Sequence, residues 1–378
     1  MPETKRGSAA GDAVNHAADA DFSQAVIAWQ EQHGRHALPW QNTRDAYRVW
    51  LSEIMLQQTQ VAAVIPYYQR FLQSFPTVES LAAAPAEQVM AHWSGLGYYS
   101  RARNLHRCAQ IVVAEYGGRF SADPAVLETL PGIGRSTAAA ISAFSYGTRA
   151  AILDGNVKRV FARVFGIDRF PGEKAVENAM WERAVALLPE TDVEAYTQGL
   201  MDLGATLCTR SKPSCSRCPL AYRCVAYATG RTNELPVRKP KKAVPERHAH
   251  MLVIVHEDAV LLEQRPVLGI WGGLLSLPEF PVTSSDLDDG LMPKAEIDRV
   301  VQPLGKIDAV TRLGSFSHGF THFKLHVRPY RIDLVRRAQR VADDGQVWYP
   351  VSDLVDAPLP APVKKLLLSL FATRDLLS

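Results

Sequence analysis

The stretch Leu130-Pro-Gly-Ile-Gly-Arg-Ser-Thr137 lies between two apolar helical patterns, one ending near Leu130 and the next beginning near Ser136. Its two glycines allow a tight turn with positive φ and leave the backbone unshielded. The second helix then offers its first amides, aided by its dipole, to an anion. No Walker lysine follows, which disfavours a mononucleotide P-loop. The pattern is that of a helix-hairpin-helix over 123–145, a motif that grips a DNA phosphate without reading base sequence. Gly132, Gly134 and Ser136 are its candidate backbone contacts, with Lys158, one turn into a later helix, as a further phosphate-facing charge.

Outward from this hairpin the pattern stays helical. Val49, Trp50, Ile54, Val61 and Val64 recur at helical spacing, as do Val157, Val160, Phe161, Val164 and Phe165. Phe75-Pro76, Gly117-Gly118 and Pro171-Gly172 cut the region into short helices. An all-α domain over 21–234 is expected, preceded by a disordered tail at 1–20 that is rich in Ala, Gly, Asp and Ser. Residues 235–248, with three prolines and a basic run, read as an extended linker. Beyond it Met251–Val255 and Ala259–Leu262 are strand-like around an acidic turn, further short strand signals follow, and Ala361–Leu368 suggests a closing helix. A mixed α/β domain over 249–378 is expected.

A length of 378 residues fits two or three domains, and 47% hydrophobic with 21% charged residues is the profile of a folded protein. No uncharged apolar run approaches the roughly 18 residues of a membrane span, and no secretory signal is visible, so a cytoplasmic monomer is expected. Net charge is only +3, but its distribution is uneven. Cys208–Arg247 holds ten Lys or Arg against Glu234 and Glu246, a polyanion-facing balance.

Four of the five cysteines, Cys208, Cys215, Cys218 and Cys224, stand within one loop. Four thiolates so grouped suit a soft centre, either zinc or an iron–sulfur cluster, and spacing alone does not choose between them. Cys108 lies on an apolar helical face and reads as a core residue.

Two carboxylates draw attention for opposite reasons. Glu53 projects between Trp50 and Leu56 on a helix, and a carboxyl so flanked is desolvated, which raises its pKa and suits a general acid. Asp154 opens Asp-Gly-Asn-Val-Lys-Arg at a helix start, where the N-terminus keeps a carboxylate ionised. A pair split in this way suits hydrolysis of a glycosidic bond: the acid protonates the leaving group and the anion stabilises an oxocarbenium-like sugar.

Taken together, Leu-Pro-Trp40, Val-Trp-Leu-Ser-Glu53 through Gln60, Gly95-Leu-Gly-Tyr-Tyr-Ser-Arg-Ala-Arg-Asn104, the hairpin, Leu-Asp154-Gly-Asn-Val and the cysteine spacing resemble the MutY adenine DNA glycosylases, of the endonuclease III-like helix-hairpin-helix superfamily. The resemblance covers nearly the whole chain beyond the tail. It implies a 4Fe-4S cluster on the four cysteines. It also implies action on double-stranded DNA carrying adenine opposite 8-oxoguanine or guanine, near the nucleoid in a bacterium. Glu53 then matches the acid that protonates adenine N7 and later assists water, Asp154 the sugar-stabilising carboxylate, and Asn156 a polar helper. Gln58 and Tyr98 match residues that wedge into the duplex and fill the gap left by a flipped base. Trp40, Gln41 and Asp202 match the adenine pocket.

Ser136 departs from the lyase members of the superfamily, which carry a Schiff-base lysine at that hairpin position; a hydroxyl cannot form an imine, so a monofunctional hydrolase is expected. The C-terminal domain resembles the Nudix-like module of the family through Trp271-Gly-Gly-Leu and Leu277-Pro278. Between Gly273 and Val300 it lacks the Arg-Glu-x-x-Glu-Glu helix that holds Mg²⁺, which argues against nucleotide hydrolysis. Phe316-Ser-His matches the loop that probes 8-oxoguanine, with Ser317 as the hydrogen-bonding side chain. His318, His322 and His326 are four apart, but with strand-like residues following and no carboxylate partner they do not read as a zinc site.

Overall fold

The computed structural model describes residues 9–239, 243–282, 292–338 and 345–371, and side chains from residue 21 onward. The described residues fall into two units, one drawn from Met1–Ala83 with Asn104–Pro240, the other from Ala84–Arg103 with Lys241–Ser378. Helices α1 (Ala9–His33), α2 (Ala46–Leu56), α3 (Val61–Ser74), α4 (Val78–Ala83), α5 (Ala86–Trp93), α6 (Ser100–Tyr116), α7 (Pro124–Glu128), α8 (Arg135–Tyr146), α9 (Gly155–Val164), α10 (Lys174–Ala186), α11 (Val193–Asp202) and α12 (Val225–Ala228) precede the first strand. Among the described residues no helix is long and apolar enough to cross a membrane.

In the first unit, α9 shows why these segments are helical. Val157, Val160, Phe161 and Val164 recur at i, i+3, i+4 and i+7, and all four are buried with Phe22, Val26, Tyr196 and Leu200. Each such side chain stabilises the fold by about 1.5–3 kcal/mol relative to exposure. The Asp154 carboxylate caps α9 by accepting from Val157 N at 2.8 Å. The hairpin forms as expected. Asp123 caps α7, with Pro124 in its first turn, and Gly134 is the N-cap of α8. Gly132 has φ 80°, which favours glycine, and a Cβ there would stand close to the Asn104 Cβ at 3.0 Å. A π-helix at Leu203–Leu207 follows α11 and ends at Cys208.

The second unit is a mixed sheet of β1 (Glu246–His256), β2 (Ala259–Gln264), β3 (Leu275–Ser276), β4 (Glu279–Pro281), β5 (Gly305–Arg312), β6 (Phe316–Gly319), β7 (Lys324–Arg337) and β8 (Gln346–Pro350), with α13 (Lys294–Val301) and α14 (Ala361–Phe371). The central path runs β3-β2-β1-β7-β5, and β1 pairs in parallel with β7 from Glu246↔Lys324 to Val255↔Asp333. Seven successive β1 residues, Ala249–Val255, are buried, as a strand covered on both faces requires.

Three expectations need correction. Residues 9–20 are helical, being the start of α1, because six alanines between Ala9 and Ala20 favour helix strongly; residues 1–8 lie outside the described ones. The C-terminal strands begin at Glu246, inside the expected 235–248 linker, of which 240–242 lie outside the described residues. The helical region is also not one unit over 21–234. Residues 84–103 belong with the C-terminal unit, where Ser94 Oγ donates to the Leu359 carbonyl at 2.7 Å.

Candidate active site

Helix α2 presents Glu53 to a cavity of about 540 Å³, also lined by Trp40, Gln41, Arg35, Phe144 and Met201. The opposite face of α2 is locked in the core through Trp50, Leu51, Ile54 and Met55. At its C-terminal end Gln57 Nε2 reaches the Gly132 carbonyl at 3.3 Å and Thr137 Oγ1 at 3.5 Å, tying the Glu53 helix to the hairpin. Burial, with the Asp154 carboxylate adding to it, pushes the Glu53 pKa up to about 8. At neutral pH it is a proton donor.

Asp154 is treated differently by its surroundings. Burial raises its pKa as well, contrary to the expectation of a purely stabilised anion. The amides of Val157 and Asn156 and the positive charges of Arg159 and Lys158 oppose that rise. No opposing group acts on Glu53, whose two causes both push upward. The two carboxyls therefore differ in what acts on them: amides and cations oppose the rise at Asp154, whereas burial and a second carboxylate both raise Glu53. Ser136 Oγ accepts from the Leu153 amide at 3.0 Å, so the hairpin serine holds the backbone just before Asp154. Lys158, expected to face phosphate, is instead paired with Glu177 at 2.6 Å.

Of the expected pocket residues, Trp40 and Gln41 line the cavity. Trp40 packs edge-on against Tyr68, and Gln41 spans the loop by accepting from Leu38 N and donating to the Arg35 carbonyl. Asp202 is fully buried behind it, accepting from Arg35 N at 2.8 Å and Nε at 2.7 Å and from Gln198 Nε2 at 2.8 Å. It shapes the cavity through Arg35 and Gln198, both of which line it.

Cys208, Cys215, Cys218 and Cys224 are all free thiols and line one small apolar cavity with Val160, Val164, Leu203 and Leu207. Among the described residues no three Cys, His, Asp or Glu side chains are gathered tightly enough for a single metal ion. Four thiols around one apolar cavity are a donor set that suits either zinc or an iron–sulfur cluster. Burial pushes the Cys218 thiol up to about 11, so thiolates here require a compensating positive centre. Arg163, 2% exposed, supplies part of it, with Nη1 3.3 Å from Cys208 Sγ.

Comparison with known proteins agrees with this geometry. Residues 51–185 match the HhH-GPD superfamily of base excision DNA repair proteins, and residues 249–369 match the NUDIX domain. The adenine DNA glycosylase of Buchnera aphidicola subsp. Schizaphis graminum is 35% identical over 92% of this chain and 97% of its own length. The chain belongs to the adenine DNA glycosylase family. The mouse adenine DNA glycosylase is 34% identical over 91% of this chain and 76% of its own. A solved thermostable thymine-DNA glycosylase superposes with TM-score 0.52 at 28% identity, covering 58% of this chain and 99% of that one. As an adenine DNA glycosylase, the protein is a DNA N-glycosylase of base excision repair, a hydrolase acting on DNA, with a helix-hairpin-helix domain and a Nudix-like domain.

The remaining expected residues of this glycosylase lie elsewhere. Gln58 and Tyr98 are both exposed, and both hold a left-handed backbone, at φ 57° and 49°. Non-glycine residues held so are concentrated at functional sites. Tyr98 lines a cavity of about 700 Å³ in the second unit with Arg103, Trp271, His318 and Phe320. Ser317 is exposed on β6 opposite His326, while His318 pairs with Leu325, so alternation sends the two side chains to opposite sheet faces and only His318 reaches that cavity. His326 stacks on His248 and meets Glu246, not the other two histidines of its spacing.

Arg159 and Arg163 were not apparent from sequence. Arg159 donates to Asn156 Oδ1 at 2.8 Å, to the Gly204 carbonyl at 2.6 Å and to the Cys208 carbonyl at 2.7 Å. Gly204 must be glycine, since a Cβ would fall 2.5 Å from the Asn156 Cβ. The signal available was a pair of arginines one turn apart, with Arg163 following the apolar Val160, Phe161 and Ala162 on a strongly apolar stretch of the helix.

Proposed function

We propose that the protein hydrolyses the glycosidic bond of adenine opposite 8-oxoguanine, or guanine, in duplex DNA and leaves the strand uncut. The observation that carries this reading is a carboxyl of pKa about 8, Glu53, facing a cavity with a differently poised carboxyl, Asp154, nearby. Adenine is flipped into the cavity beside Trp40, and Gln58 and Tyr98 fill the gap it leaves in the stack. Glu53 gives its proton to adenine N7, and the bond from N9 to C1′ breaks with its electron pair going to the base. Asp154, ionised, stabilises the cationic sugar, with Asn156 held beside it by Arg159. Glu53, now a carboxylate, takes a proton from water as its oxygen bonds to C1′, which restores the starting acid.

Two features support hydrolysis alone. The Ser136 hydroxyl is occupied by the Leu153 amide, and the Lys158 amine by Glu177, so neither offers an amine to the sugar. Cys208, Cys215, Cys218 and Cys224 would hold a 4Fe-4S cluster, which when bound supplies a charged, rigid anchor for the loop. Arg210, Lys212, Arg217 and Arg223 on that loop add charge for the phosphate backbone. Gly132 and Gly134 leave the hairpin amides open to a phosphate, and the exposed Ser317 stands ready for the lesion.

The test is single-turnover release of adenine from a duplex with one A opposite 8-oxoguanine. Free adenine with a strand that breaks only after alkali is expected. A strand broken without alkali, or no base release, contradicts the reading.

A further inference from the structure

The loop that carries Tyr98 turns through Gly95 and Gly97, at φ 97° and 77°, and then holds Tyr98 left-handed. For a tyrosine that conformation costs on the order of 1–2 kcal/mol and persists only where neighbours impose it. Trp93 Nε1 donates to the Gly97 carbonyl at 3.1 Å, and Arg101 Nη2 donates to the same carbonyl at 3.1 Å from beneath the Tyr98 ring. These contacts give the loop its shape. They do not fix where it stands.

Position is set by contacts to residues far along the chain within the same unit. Ser94 Oγ holds the Leu359 carbonyl just ahead of α14, and Arg103 Nη1 donates to the Gly272 carbonyl at 2.5 Å. Gly272 is a rigid acceptor: a Cβ there would stand 2.2 Å from the Val267 carbonyl oxygen, so the turn is closed tightly on itself. Its neighbour Trp271 is left-handed at φ 55° and lines the same cavity as Tyr98.

We propose that Arg103 is a positioning residue that moors the Tyr98 loop to the Trp271–Gly272 turn, so that the C-terminal fold holds the duplex wedge beside the aromatic cavity. This rests on the wedge role proposed above for Tyr98. The wedge is then placed by the Nudix-like unit, although its sequence lies within the helical region.

The test uses the full-length, cluster-loaded protein and a duplex with 2-aminopurine beside an A opposite 8-oxoguanine, whose fluorescence reports unstacking. Arg103→Met is expected to bring the unstacking signal down to that of Tyr98→Ser and to slow base release about 10- to 100-fold, as a misplaced group does. Arg103→Lys should recover part of both, and the double variant Arg103→Met/Tyr98→Ser should be no worse than Tyr98→Ser. Should Arg103→Met lose its melting transition, Arg103→Gln serves the same comparison. Wild-type unstacking in the Arg103 variants, or losses that multiply in the double variant, would overturn the proposal. So would a loss of duplex affinity with normal unstacking at saturating protein, since that marks a simple phosphate contact. If Tyr98→Ser itself leaves unstacking intact, the wedge reading fails first, and the two failures are told apart.

Discussion

The surroundings of Glu53 and Asp154 differ in one respect that decides their chemistry. Both carboxyls are taken out of water, and burial raises the pKa of each. Glu53 lies in the middle of α2, where every backbone amide is already used by the helix, and its one charged influence is another carboxylate. Asp154 sits at the start of α9, where amides are free to donate and Arg159 and Lys158 stand near. The lesson is that two desolvated carboxyls close enough to feel each other are set apart when one takes the end of a helix, where amides and cations oppose its protonation, and the other takes a helix side.

The comparison can be broken at either member. Glu53→Gln removes the proton donor while keeping shape and is expected to slow adenine release by about 10²–10⁴-fold, read in single turnover. Asp154→Asn keeps a cap for α9 but removes the charge facing the sugar. A loss of roughly 10²-fold is expected, the smaller of the two because Asn still accepts from Val157 N. Equal rates for Asp154→Asn and wild type would leave Glu53 as the sole participant. Arg159→Met removes a charge that holds Asp154 ionised and a donor to Asn156. It is expected to cost about tenfold, with the acid limb of the pH profile moving upward as Asp154 becomes easier to protonate. An unmoved acid limb would show that the amides alone set Asp154.

Much of this was legible in the sequence because the relevant physics is local. The Gly132–Gly134 turn and the cap at Asp154 are decided within a few residues and form as read, and the four cysteines line one cavity. Partnership between distant residues was not legible. A helical pattern across 21–234 does not say that residues 84–103, where Val89, Met90 and Trp93 are buried, join the C-terminal unit. Lys158 reads as a free cation until Glu177, nineteen residues on, is seen to face it. Asp154 reads as a plain anion because a cap is visible in sequence and the depth of its burial is not. Alanine content in 9–20 favours helix, whereas Gly11, Asp12 and Asp19 among those alanines resemble a tail.

The central claim is a Glu53 that keeps its proton at neutral pH, and the pH dependence of single-turnover adenine release, with protein in excess over duplex but below saturation, tests it most directly. A raised pKa means the proton is present below it and lost above it, so the rate should fall as pH rises through about 8. In Glu53→Gln that basic limb should vanish along with most of the rate. A wild-type rate that stays level or climbs from pH 7 to well above 8 would contradict the account, because Glu53 would then be acting without the proton its surroundings are said to preserve.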